Sequence, residues 1–425
     1  VNEMDTLSQH STFINQRDSS VGFAEPRVDP LLQYSIREQL KALTTEKLTD
    51  CQRRANLCES MTLAVTTLLQ QETADHSVLT KIFQAMYENV LQSMAKAEIS
   101  QQSLTHEYLS PTGYVMSPLH CRTTIKDIYR LHGFIRGLDR AIKDRLKSDA
   151  VVRILYPACG PFAPLVLPLI QYYQSNDLVT EQQVQITLVD VQPGAIQAVK
   201  QLVSDLSIQG FIDDIVEADA TLYHPEQTFD LLVLEAMQHG FTKEGQLSIA
   251  KHLIQFLSVD GVLIPQQISV HGMMVRGEIE FNQQWQDSAF SHSINLRKKA
   301  VKDRVELGEI FQINRSSLLA LEEVTLPSQV KMVKANRISL PVGIEDMKDR
   351  ILAVYATLNV YSDESISEYD SGITHPRPDM TFYVDTPPRS AQPEHFLAFS
   401  GDDIQFYYQL TGLPGFVALK ADSEA

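Results

Sequence analysis

The sequence predicts an α/β protein: a parallel sheet covered by helices, preceded by a helical N-terminal region and followed by an antiparallel β domain. Three observations carry this. Short, near-continuous apolar strands ("VVRILYPACG", "VQITLVDV", "FDLLVLEAM") alternate with helical stretches, the pattern of a parallel sheet buried on both faces. Before them, apolar residues recur every three or four positions with few glycines or prolines, as on amphipathic helices. After about residue 270, strand-like runs are separated by polar loops.

Taken in order, residues 1–28 are polar and aperiodic and are expected to form a tail. Residues 29–107, including "VDPLLQYSIREQLKAL" and "LTKIFQAMYENVLQSMAKAEI", are expected to be helical. "SPTGYVMSP" reads as a loop, and "TTIKDIYRLHGFIRGLDRAIKDRL" as the helix that leads into the parallel-sheet domain, residues 108–268. "PGAIQAVKQLVSDL" and "QLSIAKHLIQFL" supply its helices, and "VDGVLIPQQISV" closes it. Residues 269–425 make the β domain, with "DRILAVYATLNVYS", "MTFYVDT", "EHFLAFS" and "DIQFYYQLTG" as strands.

Composition narrows the function. Against 36 basic residues stand 53 acidic ones, a net charge of −17, which disfavours nucleic acid and anionic membranes and favours a cationic substrate. Cys51, Cys58, Cys121 and Cys159 form no CxxC pair, and the N-terminal stretch lacks the apolar segment of a signal peptide, so a reducing, cytoplasmic setting is expected. The longest apolar run holds four prolines and is too short for a membrane span.

In an open parallel sheet, ligands bind beyond the carboxyl ends of the strands. The first strand ends in "YPACGPFAPL", where Gly160 lets backbone approach a ligand closely. The second ends at Asp190, a carboxylate suited to a ribose diol, and "VEADA" places Asp219 at the next strand end, within reach of an adenine edge. The GxGxxG fingerprint is missing, with Ala158 where its first glycine would stand, which disfavours a nicotinamide dehydrogenase. The third strand ends in Glu235, and Glu244 follows nine residues later across a loop holding Gly240.

These residues resemble the class I S-adenosylmethionine methyltransferases, and more narrowly the protein arginine methyltransferases. "RILYPACGPFAPL" is similar to that family's first motif, and "FDLLVLEAMQHGFTKEG" to its double-glutamate loop. "LSVDGVLIP" resembles the passage from the Rossmann-like fold to a β-barrel-like domain. "IKDIYRLHGFIR" is similar to the helix whose arginine holds the methionine carboxylate, here Arg130. "GITHPRPDMTFYVDTP" resembles the threonine-histidine loop, which places Thr374 and His375 beside the substrate, with Pro376 where the family has tryptophan. The resemblance implies S-adenosylmethionine held by Arg130, Ala158, Gly160, Asp190 and Asp219. It implies Glu235, Glu244 and His375 as catalytic residues, no metal, and a homodimer whose arm includes Trp285.

A guanidinium is planar, delocalised and permanently charged, so two carboxylates on one loop can hold its fork of donors and leave one nitrogen aimed at a methyl group. The residues alone also admit a plainer reading, in which Glu235 caps the sheet end, Glu244 lies solvated at a helix N-terminus, and Arg130 pairs with Asp127 three residues before it. Methyl transfer to oxygen or carbon of a metabolite, and a non-catalytic adenosyl-binding scaffold, are the other functions considered.

Overall fold

The computed structural model describes residues 48–70, 76–148, 150–281 and 303–421. The predicted tail, the first part of the predicted helical region and Trp285 with its predicted arm lie outside the described residues.

Helices α1 (Asp50–Gln70) and α2 (His76–Lys96) pair at the start of the described chain, followed by the short α3 (Gln101–Thr105). On α1, Arg53, Leu57, Met61, Ala64, Val65 and Leu68 are buried, a three- and four-residue spacing that makes one continuous face. The stretch read as a loop is instead a hairpin, β1 (Tyr108–Ser110) and β2 (Gly113–Val115). Its turn closes locally: the Ser110 hydroxyl donates to the Gly113 carbonyl (2.8 Å) and accepts from the Thr112 amide (3.2 Å). Such side-chain closure of a Pro-Thr-Gly turn is what a reading for strand periodicity misses. Next come α4 (Pro118–Cys121) and the long α5 (Ile128–Leu146), whose N-cap Asp127 accepts from the Arg130 amide.

The α/β region then runs β3 (Val152–Pro157), α6 (Leu167–Ser175), β4 (Val184–Asp190), α7 (Pro193–Leu206), β5 (Ile212–Glu217), β6 (Phe229–Val233), α8 (Gln246–Leu253) and β7 (Leu257–Ile264). The five strands form one parallel sheet in the order β5-β4-β3-β6-β7. The chain winds outward from β3 to β5, then crosses to β6 on the other side of β3. The carboxyl ends of β3 and β6 therefore flank the crevice where strand order reverses. Pro193 at the start of α7 fixes a helical φ where an amide hydrogen would have no partner, so the helix starts directly after β4.

Strands β8 (Gln267–Val275), β9 (Val305–Asn314), β10 (Glu323–Thr325), β11 (Lys331–Ser339), β12 (Ile351–Tyr361), β13 (Glu364–Ile366), β14 (Phe382–Val384), β15 (Phe396–Ala398), β16 (Asp403–Gln409) and β17 (Gly415–Lys420) follow. Their hydrogen bonds make two four-stranded antiparallel sheets, β13-β12-β8-β9 and β10-β11-β16-β17, rather than one continuous barrel ladder. β14 and β15 pair with each other in parallel, against the antiparallel expectation. On β16, Ile404, Phe406 and Tyr408 alternate inward with period two. Residues Asp50–Ala425 are one compact unit, and its main hydrophobic cluster runs from Leu57 on α1 through the parallel sheet to Ala418 on β17.

Candidate functional site

The loop after β3 departs from ordinary backbone geometry. Ala158, Gly160 and Ala163 all lie in the left-handed region (φ 51°, 64° and 41°). For the alanines this is unfavourable by about 1–2 kcal/mol each, a cost that clusters at functional sites. Asp190 at the end of β4 holds this loop: its Oδ2 accepts the Gly160 amide and its Oδ1 the Gln192 amide, both at 2.8 Å. Asp190 is buried, which raises its pKa, while the Gln192 and Gly160 amides oppose that rise. Each carboxylate oxygen keeps a second lone pair. Beyond β5, Asp219 closes a local turn, its Oδ1 accepting from the amide and hydroxyl of Thr221.

The glutamate loop after β6 is more strained still. Gly240, Phe241 and Lys243 have φ of 61°, 67° and 69°. The surroundings enforce this conformation. A Cβ on Gly240 would stand 2.6 Å from the Val354 side chain. Phe241 is buried against Phe311 and Tyr408, and the Tyr408 hydroxyl donates to the Phe241 carbonyl (2.9 Å). The buried Gln246 spans the loop, its Oε1 accepting from the Ala236 amide (2.6 Å) and its Nε2 donating to the Leu234 carbonyl (3.2 Å).

Three carboxylates, Asp127, Glu235 and Glu244, gather around one guanidinium here. Arg130 donates through Nη1 to Glu235 (2.8 Å) and through Nη2 and Nε to Asp127 (2.9 and 3.2 Å). The Ser371 hydroxyl (2.7 Å) and the Gly372 amide (3.1 Å) also donate to Asp127. The Asp127 and Glu235 contacts use three of the five N–H donors of Arg130 and leave two. The carboxyl of Glu244 is pushed up to about 8, first by burial and then by the charge of Glu235, against the opposing effects of a Gln238 hydrogen bond and the Arg130 charge. A half-buried acid whose pKa lies near neutrality beside a second acid marks a place for a cation or a mobile proton.

The β1–β2 hairpin lies across this loop. The Tyr114 amide donates to the Lys243 carbonyl (2.7 Å), and a Cβ on Gly113 would stand 2.7 Å from the Gly245 nitrogen. From the other side, buried Gln192 donates through Nε2 to the carbonyls of His106 (2.8 Å) and Met116 (3.0 Å), so one side chain grips both arms of the hairpin. A loop of the β domain latches both pieces: the Gly412 amide donates to the Pro111 carbonyl (2.8 Å), and the Lys243 amide to the Pro414 carbonyl (2.7 Å).

The result is one cleft of about 1150 Å³, its open mouth included. Arg130, Ala158, Gly160, Asp190, Asp219, Glu235 and Glu244 all line it. His375 does not; it is buried, with its ring edge-on to Tyr369 at 4.7 Å. The sequence reading missed Tyr108, Tyr114, Cys121 and Gln192, which also line the cleft. Only the glycine of the Pro-Thr-Gly turn pointed to the hairpin, and nothing local to Gln192 shows that its amide reaches back some eighty residues. No family model and no curated protein matches the chain. Solved structures are similar, among them a chain of the Trypanosoma brucei PRMT1 enzyme-prozyme heterotetrameric complex with AdoHcy, 13% identical, covering 71% of this chain and 98% of that one at a TM-score of 0.41.

Proposed function

We propose that this chain is an S-adenosylmethionine-dependent N-methyltransferase that acts on a guanidinium-type nitrogen. The observation that carries the reading is the union, in one cleft, of a strand-end cradle and a pair of acids at the topological switch of a parallel sheet. The cradle suits a nucleoside. At Gly160 an added Cβ would meet only the Cys121 Cβ, at 3.8 Å, so the backbone is open to close approach. Asp190 has lone pairs to accept a ribose diol, Asp219 stands at the neighbouring strand end, and Arg130 keeps two donors for a carboxylate. When bound, the cofactor supplies a methyl group made electrophilic by its sulfonium.

The chain's own residues do the rest. Glu235, fixed by Arg130, and Glu244, fixed by the rigid loop, hold the substrate cation and orient one nitrogen; positioning of this kind offsets up to ~7–11 kcal/mol of barrier. Glu244 carries a proton near neutrality in the free protein; a substrate cation beside it favours the ionised form, which can then take the proton that the nitrogen releases. The hairpin covers the cleft and limits water. His375, outside the lining, has no part in this scheme.

Calorimetric titration with S-adenosylmethionine, followed by labelled-methyl transfer to arginine peptides and small guanidines, tests the reading. Glu244→Gln should keep cofactor affinity and lose about thirty- to several-thousand-fold in turnover, the effect of ~2–5 kcal/mol at a desolvated charge pair. Glu235→Gln should lose turnover likewise, with Arg130 still anchored by its two bonds to Asp127. Cofactor binding without transfer to any acceptor would replace the enzyme with a scaffold. Full transfer by Glu244→Gln would point to oxygen or carbon as the methylated atom.

A further inference from the structure

The guanidinium that fixes Glu235 is itself fixed from the β domain. Between β13 and β14 the chain makes a short helical turn, Gly372–Thr374, whose N-cap Ser371 lies 244 positions downstream of Asp127. Ser371 is buried. Its hydroxyl donates to Asp127 Oδ2 (2.7 Å) and accepts from the Ile373 amide (3.3 Å), so its one proton and a lone pair are both directed. The Gly372 amide donates to the same carboxylate oxygen (3.1 Å). A Cβ on Gly372 would stand 3.7 Å from that oxygen and 3.9 Å from Arg130 Nη2, so the turn packs directly on the ion pair. The turn is anchored at both ends. Thr374 Oγ1 accepts from the Ser371 amide (3.1 Å) and donates to the Ser371 carbonyl (3.2 Å). Two residues before Ser371, the Tyr369 hydroxyl donates to Glu280 (2.9 Å), whose two oxygens also hold Arg304 (2.8 and 3.0 Å).

Asp127 thus stands between two pairs of donors, Ser371 and Gly372 from the turn and Nε and Nη2 of Arg130. A guanidinium is a rigid planar fork, so fixing Nε and Nη2 fixes the direction in which Nη1 reaches Glu235 (2.8 Å). Arg130 and Glu235 line the cleft, while Asp127 and Ser371 lie behind its lining. We propose that Ser371 is a positioning residue for the acid pair: its hydroxyl sets the Asp127 carboxylate, and through it the plane in which Arg130 holds Glu235. Its consequence for catalysis rests on the guanidine-methyltransferase reading. The parallel-sheet region supplies the acids and the cradle, and the β domain supplies the hydroxyl that aligns them. Loss of that hydroxyl removes orientation and no charge, so it acts on kcat more than on acceptor binding.

Ser371→Ala is the test, since Thr374 still closes the turn through the backbone of residue 371. Ser371→Thr is its control: it keeps the hydroxyl, and the extended backbone there (φ −135°, ψ 160°) suits a β-branched side chain. One readout is the steady-state kinetics of labelled-methyl transfer from S-adenosylmethionine to arginine peptides and small guanidines. The other is solvent exchange of the Arg130 Nε–H, followed by NMR of arginine-labelled protein and identified as the resonance lost in Arg130→Lys. In Ser371→Ala, kcat should fall about tenfold or more, as for a lost hydrogen bond to a charged group, while the acceptor KM changes less than about threefold. Exchange of the Nε–H should accelerate, and Ser371→Thr should recover most of both. If Ser371→Ala keeps the wild-type kcat, or Ser371→Ala and Ser371→Thr lose alike, the hydroxyl positions nothing; the inference falls and the methyltransferase reading stands. Faster exchange in Ser371→Ala of a protein whose wild type methylates no acceptor keeps the positioning of Arg130 and overturns the methyltransferase reading. Unchanged exchange together with no methyl transfer overturns both.

Discussion

Glu244 holds its proton up to about pH 8 in the folded chain, against an ordinary value of 4.5. Between these values the folded state binds more protons than the unfolded state, so the group's contribution to stability is complete below about 4.5 and is lost as pH rises through 8. Glu244→Gln stays neutral throughout. Its melting temperature should therefore gain on the wild type progressively from pH 4.5 to 8, by a few degrees on the order expected for a kcal/mol-scale effect, and then run parallel above. Parallel curves across the whole range would show that Glu244 is ionised in the free protein. The presence of the two acids and their shared loop was legible in the sequence, because strand ends and loop length are local patterns. The bond from Glu235 to Arg130 was not. The sequence reading gave these residues separate ligands, and what joins them is a long-range contact between the start of α5 and the loop after β6, 105 residues downstream. The same holds for His375, whose burial against Tyr369 depends on how its loop folds inward.

At the scale of elements, the hairpin β1–β2 is the piece the sequence concealed and the site most depends on. It is too short to hold itself: a two-stranded ribbon is marginal in water without further support. Support comes from Gln192, which bonds the chain on both sides of the hairpin, and from the amide of Tyr114 on the glutamate loop. Gln192→Ala removes two hydrogen bonds and leaves the His106 and Met116 carbonyls unmatched, a change of ~1–3 kcal/mol. The expected result is local. Amide hydrogen exchange should accelerate across residues 106–116 while β3, β4 and β6 keep their protection. Acceleration spread over the parallel sheet would mean that Gln192 supports the core and not the cover. The strands of the parallel sheet were plain in the sequence, since burial on both faces leaves unbroken apolar runs; a ribbon held by a distant side chain leaves no such mark.

Over the whole molecule, the described N-terminal helices belong to the same body as the sheet. Arg53 on α1 donates to both oxygens of Asp205 on α7 (2.6 and 2.7 Å), and Ser93 of α2 donates to the same carboxylate (2.6 Å). Burial would raise the Asp205 pKa, but Arg53 and Ser93 outweigh it and hold it below the ordinary value, so the pair's stability is lost as pH falls. Asp205→Ala leaves a buried guanidinium with only Asp50 and should cost about 3–5 kcal/mol. Chemical unfolding should remain a single transition, because α1 and α2 share the hydrophobic cluster of the sheet. A separate early transition confined to helical signal would instead mark α1 and α2 as a detachable module. The latch at Gly412 and Pro414 bears on the order of biosynthesis. Both residues it holds, Pro111 in the hairpin and Lys243 in the glutamate loop, are translated well before it. A growing chain therefore carries the strained loop without its restraint until residue 414 has cleared the ribosome, and a half-made copy has no competent cleft with which to capture cofactor.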